Sequence, residues 1–472
     1  MPELTGKHCL AERKVRASYA HKTGRRDHKH ENLILTPSIH DQSTEYTKAW
    51  GKRRKTSSAK PIRSESGKDV PLETFPAALV LPDDDLALDP CSRPQSLTSW
   101  LREPKRNQFT TRRKTIYVTT AQAGEFMIDW AEPLSTTSKP KGRSRELTRP
   151  NVKDVIAYLQ AFYHGMPVKQ LQDPLQFTTW TNSQKSGPRR SGRLIHTTSA
   201  IGINTSTECI RIRTRKSHDD AFTNQLNLDD LLDVCISVLP DDAFALLFIV
   251  DQDMYQHDDD DFCCGMAAGG SRVAVVSTAR YNPLLDQRQE IDRTHAWPAS
   301  HCAAYVEELC RNADGPSKPT PKRKQPDTTA TSTIINLTSN SMSAKLSPLH
   351  AAITAHNSLP PLTSTASVEA LHILWLSRIC RTASHELGHC LGIGHCVFYA
   401  CNMQGSASIK EDARQPPYLC PVDLAKMLRA TGADERERYQ ALLGFCEAWE
   451  EKEGGHMFAG FAGWLRGRME GA

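Results

Sequence analysis

The run His385-Glu386-Leu387-Gly388-His389-Cys390-Leu391-Gly392-Ile393-Gly394-His395 constrains this chain more than any other feature, because it dictates a helix and also where that helix must stop. On a helix, His385 and His389 project from one face, where two ring nitrogens can reach one ion about 2.0–2.1 Å away. Glu386 is turned by roughly 100° from His385, so its carboxylate falls beside the ion, within reach of a proton on a bound water. Gly392 can take a positive φ and end the helix within a turn, which brings His395 back toward the same point. A longer helix would carry His395 away. Histidine is only 18 of 472 residues, so the complete H-E-x-x-H-x-x-G-x-x-H pattern has a chance frequency on the order of 10⁻⁴ in a chain of this length.

Three neutral imidazoles leave one position of a tetrahedral zinc open, and water held there has its pKa lowered from about 15.7 to about 7. The expected chemistry is hydrolysis, with a catalytic zinc on His385, His389 and His395 and Glu386 as general base. The expectation is a zinc-dependent peptidase acting on a peptide substrate. Two blander readings compete with it: ordinary histidines on an amphipathic helix, or a closed structural zinc site that draws on the neighbouring thiols Cys390 and Cys396. Cys390 points some 100° away from the ligand face and reads as a buried thiol.

Directly after His395 come Cys396-Val397-Phe398-Tyr399-Ala400-Cys401-Asn402-Met403-Gln404-Gly405-Ser406 and then Cys420-Pro421-Val422-Asp423. With the three-histidine motif, this run resembles the archaemetzincins (archaelysins), metzincin zinc peptidases in which C-x4-C-x-M is followed, after a spacer, by C-x-x-C. The resemblance implies a second, structural zinc on Cys396, Cys401 and Cys420, with Met403 in the turn beneath the catalytic metal. It also implies an α+β metzincin-like fold, a twisted mixed sheet packed on a long active-site helix, and aminopeptidase-like action on short peptides. One position departs from the family pattern, since Asp423 stands where the last cysteine belongs. A carboxylate oxygen can ligate zinc at about 2.0–2.2 Å. Equally, Cys420 sits at an N-cap, Pro421 at the first helical position and Asp423 in the first turn, where a negative charge suits the helix dipole. Both readings stay open; if Asp423 is no ligand, a water or Cys446 would complete the shell.

Periodicity places the other elements. Lys114–Thr119, Ala243–Val250 and Arg272–Ala279 read as strands, and Asn151–His164 as an amphipathic helix. Ser367–Gly392 reads as the long metal helix, with Val368, Leu371, Leu374, Trp375 and Ile379 turned inward. Pro421–Ala430, ending at Gly432, and Asp434–Lys452 read as helices. By resemblance Asp253–Tyr255 and Ser271–Tyr281 precede the active-site helix, and Ser271–Ala279 would be an edge strand on which a peptide could add. Asp258–Asp261 lacks the spaced oxygen ligands and the glycine of a calcium loop and reads as a solvated loop.

Residues 1–70 hold 16 Lys and Arg against 8 Asp and Glu, whereas the rest of the chain has 43 against 46. The expected organisation is a basic, largely disordered tail over residues 1–111, a metallopeptidase domain over 112–452 interrupted by a low-complexity insertion at 311–364, and a C-terminal tail over 453–472. The basic Lys52-Arg53-Arg54-Lys55 run could serve nuclear import or loose nucleic-acid contact, or be a solvated tail. The insertion could gate substrate access or be inert. Fourteen cysteines spread from Cys9 to Cys446, regular only where their spacing is metal-like, argue against a disulfide framework. Met1–Ala20 has no apolar run for a signal peptide, and no stretch reaches the roughly 18 apolar residues of a membrane helix. The expectation is an intracellular protein, cytoplasmic or nuclear, without membrane contact. A competing function is a non-catalytic, zinc-stabilised scaffold that binds nucleic acid or protein through its basic tail. Glu386 argues against it, because a structural site has no use for a base there.

Overall fold

Eight consecutive apolar residues can be accommodated only where both faces of a strand are covered, and Ala243–Val250 is a strand buried along its whole length. In the computed structural model the described residues are 74–134 apart from 82, 83, 85–91 and 105; 147–180; 200–302 with 304–306 and 309; and 347–470 apart from 364. A short helix α1 (Leu97–Leu101) precedes strand β1 (Thr115–Gln122). Helix α2 (Val152–Phe162) is followed by β2 (Val168–Gln170), β3 (Leu175–Thr179), β4 (Ala200–Asn204), β5 (Cys209–Lys216) and β6 (Asn224–Asn227). Helix α3 (Leu228–Ser237) leads into β7 (Ala243–Val250), β8 (Asp253–Tyr255), β9 (Gly265–Ala268) and β10 (Val273–Ser277). Then come α4 (Pro348–Asn357), α5 (Val368–Cys390), α6 (Ile409–Ala413), α7 (Pro421–Thr431), α8 (Glu435–Glu447) and α9 (His456–Glu470).

The strands form one mixed sheet in the order β8-β6-β5-β4-β3-β1-β7-β10-β9, with β2 also on β1. β7 runs parallel to β1 and β10, while β9 closes the end antiparallel to β10. The period of two sorts the central side chains between two cores. Ala245, Leu247 and Ile249 of β7, with Ala274 and Val276 of β10, join the core shared with Ile373, Leu376, Ile379 and Ala383 of α5. Leu246, Phe248 and Val250, with Val273 and Val275, pack with Leu231, Leu232 and Cys235 of α3. The α+β class and the mixed sheet on a long helix therefore stand.

Helix α5 starts as the sequence indicates, with the Ser367 hydroxyl accepting from the Ala370 N–H at 3.0 Å. Its inward face differs from the expected one. Val368, Leu371 and Leu374 are only half-buried, whereas every residue from Trp375 to Ser384 is buried. An apolar stripe describes a surface helix; α5 is enclosed on most sides, so its arginines are buried too, each against a carboxylate. Arg378 grips Asp286 at 2.7 and 2.8 Å, and Arg381 grips Asp412 at 2.5 Å.

Three expected boundaries are corrected. The folded unit begins upstream of residue 112: Phe75 and Trp100 lie in the same core as α5, and Asp84 pairs with Arg414 at 2.5 Å. The expected C-terminal tail is α9, with Phe458, Phe461, Trp464 and Leu465 buried and Trp464 stacked on Tyr418 at 4.4 Å. Its glycines let helices touch. A Cβ on Gly463 would lie 2.6 Å from the Ala351 carbonyl oxygen of α4. That same contact shows that the insertion does not reach residue 364, since α4 is folded with Leu349 and Ala352 buried. Residues 311–346, the Lys52–Lys55 run and the first 73 residues lie outside the described residues.

Two local readings are also revised. Ser271–Ala279 is not at the sheet edge, because β9 covers β10 there; β9 is short and built from Gly, Met and Ala, so it carries little β signal. The acidic loop is pinned rather than freely solvated. Asp260 is buried and accepts from the backbone N–H groups of Gln256 and His257 at 3.1 and 2.7 Å, while Arg215 donates to the carbonyls of His257, Asp258 and Asp260.

Candidate metal centres

The last turn of α5 delivers the histidines. Gly392 has φ of +77°, and the helix closes with Leu391 N–H on Gly388 O at 3.0 Å, Gly392 N–H on His389 O at 2.9 Å and Ile393 N–H on Gly388 O at 3.2 Å. His385, His389 and His395 then each bring one ring nitrogen to within 4.8 Å of the others. Backbone carbonyls decide the tautomers. His385 Nδ1 meets Asn402 O at 2.6 Å and His389 Nδ1 meets Ile393 O at 2.7 Å. A carbonyl can only accept, so both Nδ1 atoms donate and both Nε2 atoms present lone pairs. Those two Nε2 atoms lie 3.1 Å apart. Lone pairs that close repel unless a cation lies between them, and a tetrahedral zinc with bonds of about 2.0–2.1 Å would separate two nitrogens by about 3.3 Å. The donor set fits zinc.

Met403 is buried directly beneath this helix turn, with its Sδ 2.4 Å from where a Cβ on Gly388 would stand. Glu386 is buried at the sheet edge, its Oε1 3.0 Å from where a Cβ on Gly265 of β9 would stand. The carboxylate thus lies between the metal helix and the edge strand.

Cys396, Cys401, Cys420 and Asp423 form a second group, all buried and with one ligand atom each inside 4.8 Å. Cys396 Sγ is 3.6 Å from Cys420 Sγ, and Asp423 Oδ2 is 3.5 Å from Cys401 Sγ and 3.6 Å from Cys420 Sγ. Zinc–sulfur bonds of about 2.3 Å would hold two sulfurs about 3.7 Å apart. Asp423 is in the first turn of α7 and among the thiols at once, so its two readings do not exclude each other. Its Oδ1 accepts from Lys426 Nζ at 2.7 Å. Cys446 is buried in α8 and is not in the group. Electrostatically the cluster asks for a cation. Hydrogen bonds from Cys401 and Cys420 draw the Cys396 thiol far down, whereas burial drives Cys401 and Cys420 well up. Burial, then Cys396, pushes Asp423 up to about 7 against the pull of Lys426. A bound divalent ion reverses that penalty for each donor.

Sequence reasoning missed the upstream residues that brace the motif. Trp100 Nε1 donates to Leu391 O at 3.1 Å, and Asn107 Nδ2 donates to Cys390 O at 3.0 Å and Gly269 O at 2.6 Å. Ser92 Oγ lies 3.4 Å from His395 Nδ1. Isolated polar residues in an aperiodic stretch carry no local signal.

Comparison with known proteins places this geometry. The family model described as Peptidase family M54 matches residues 367–429, which span α5 and most of α7. Archaemetzincin-2 of Mus musculus is 26% identical over 302 residues, which is 64% of this chain and 60% of the mouse protein. Archaemetzincin-2 of Homo sapiens is 23% identical over 369 residues, 78% of this chain and 73% of the human protein. The match thus spans less than two thirds of the mouse relative's length. The crystal structure of archaemetzincin from Methanopyrus kandleri aligns with 69% of this chain and 99% of its own, at 15% identity and a TM-score of 0.30. On its motifs and relatives, the chain is similar to the archaemetzincins, and the Peptidase family M54 match lies over the segment that carries both candidate metal groups.

Proposed function

We propose that this chain is a zinc-dependent peptidase in which His385, His389 and His395 hold the metal and Glu386 is the general base. The observation that carries the reading is the pair of lone-pair Nε2 atoms 3.1 Å apart, joined by the third imidazole at the end of a helix that also bears Glu386. Zinc, when bound, supplies Lewis acidity that polarises a peptide carbonyl and acidifies water. Glu386 would take the proton from the attacking water on its carboxylate and pass it to the leaving amine. The peptide would lie as an added strand along β9, the edge strand beside Glu386, rather than along β10. Action of an aminopeptidase kind on short peptides is the reading the family resemblance favours. Cys396, Cys401, Cys420 and Asp423 would hold a second, structural zinc.

An intracellular location is part of the same proposal. Eleven of the described cysteines are free thiols, nine of them buried, as suits a reducing compartment. No helix among the described residues is long and apolar enough to cross a membrane.

The test is Glu386→Gln in the zinc-loaded chain. Zinc content is expected to stay at the wild-type level while hydrolysis of short peptides falls by about 10²- to 10⁴-fold. Undiminished hydrolysis in Glu386→Gln, or full zinc content in His385→Ala, would overturn the reading.

A further inference from the structure

We infer that Gln95 is a positioning residue that ties the turn presenting His395 to the cysteine–aspartate group, so that the hold of the histidines on their metal depends on it. Its Oε1 accepts from the Gly394 N–H at 3.0 Å and from Lys426 Nζ at 3.0 Å, and its Nε2 donates to Gly392 O at 3.0 Å. The amide orientation is determined by these partners, because a flip would set its NH₂ against two donors. Lys426 in turn donates to Asp423 Oδ1 at 2.7 Å, and Asp423 Oδ2 faces the thiols of Cys401 and Cys420. One continuous line of contacts therefore runs from the second metal group to the residue immediately before His395.

Two physical features make Gln95 more than one contact among many. Lys426 has a side chain 2% exposed, and a buried ammonium must be partnered; among the described residues it donates to Asp423 and Gln95. The turn it secures has glycine at 392 and 394, on either side of Ile393, so its own backbone imposes little restraint on where His395 points. Gln95 grips that turn by the carbonyl of one glycine and the N–H of the other. Lost outer contacts of this kind typically weaken a metal site by about 10- to 100-fold.

The inference rests on the proposed metal groups but not on peptidase activity, and its readout is zinc. In the full-length chain, zinc release is titrated with chelators of graded affinity, and occupancy of the cysteine group is read separately by protection of Cys396, Cys401 and Cys420 from alkylation. Gln95→Ala is expected to weaken the histidine group about 10- to 100-fold while the cysteines stay protected. Gln95→Glu keeps an acceptor for Gly394 and Lys426 but turns the donation to Gly392 into a contact between two acceptors, so a loss on the order of threefold to tenfold is expected. Wild-type zinc affinity in both variants, even with a lowered melting temperature, would reduce Gln95 to a merely structural residue and overturn the inference. Should Gln95→Ala not fold, Gln95→Glu decides alone by the same criterion. Full zinc content in His385→Ala would instead sink the metal reading itself, so the two failures are distinguishable.

Discussion

His395 and Cys396 are neighbours in the chain, yet they belong to two groups that differ in every property that matters for chemistry. The cysteine–aspartate group has four donors, all buried, and a buried lysine beside them. Three thiolates and a carboxylate would carry −3 and −1 against +2 for zinc, and Lys426 offsets part of the excess. In the histidine group His389 and His395 are half-buried and the donors are neutral. There the whole charge of the ion would remain available to polarise a carbonyl. Ligand charge and burial, rather than ligand count alone, separate a closed site that stabilises from an open one that reacts.

That contrast can be broken in four places, in descending order of effect. At the open group, Glu386→Gln should lower turnover about 10²- to 10⁴-fold and leave the urea unfolding curve unchanged; a shifted curve would mean that Glu386 serves the fold. At the closed group the pattern should invert. Cys420→Ser should cost roughly 3–5 kcal/mol of stability, because binding energy at a structural site is folding energy; a variant equally stable to urea would show that this group is not structural. Between the groups, Gly392→Ala places a side chain at φ of +77° with Arg106 Cγ 3.0 Å away. It should cost about 1–2 kcal/mol and lower zinc retention at the histidines; unchanged retention would show that the turn tolerates another conformation.

The smallest effect lies away from both groups. Burial pushes His301 and His456 down to about 4, with Arg414 adding to His301 and His356 to His456. Both are neutral when folded and take up a proton more readily when unfolded. Their contribution is complete above about pH 6.5 and declines as pH falls toward 4, by roughly 1–1.5 kcal/mol each at pH 5.5. Melting temperature followed from pH 7.5 to 5 should fall, and fall less in His456→Gln. Equal slopes in the two proteins would exclude His456 as a source.

Legibility followed sequence distance. The metal helix, its serine cap and its glycine stop lie within about thirty residues, and each depends on backbone rules that act over one turn. Ala243–Val250 was equally clear, since an unbroken apolar run with β-branched and aromatic members has few other fates. By contrast β9 is four residues of Gly, Met and Ala, and α9 packs on α4 through glycines that carry no local sign of a helix interface. Gln95 and Asn107 are polar residues in an aperiodic stretch. Their roles exist only because the fold brings them to Gly392, Gly394 and Cys390.

By itself the sequence determined which side chains can hold a metal: the spacing of His385, His389, Gly392 and His395 and of Cys396, Cys401 and Cys420 is a matter of local geometry. Only the tertiary structure decided how those donors are used. It turned the Nδ1 atoms of His385 and His389 onto carbonyls, placed Asp423 among the thiols with Lys426 behind it, and set β9 against Glu386. The reason is that tautomer, burial and charge balance depend on atoms contributed from far along the chain, and spacing within one segment contains no record of them.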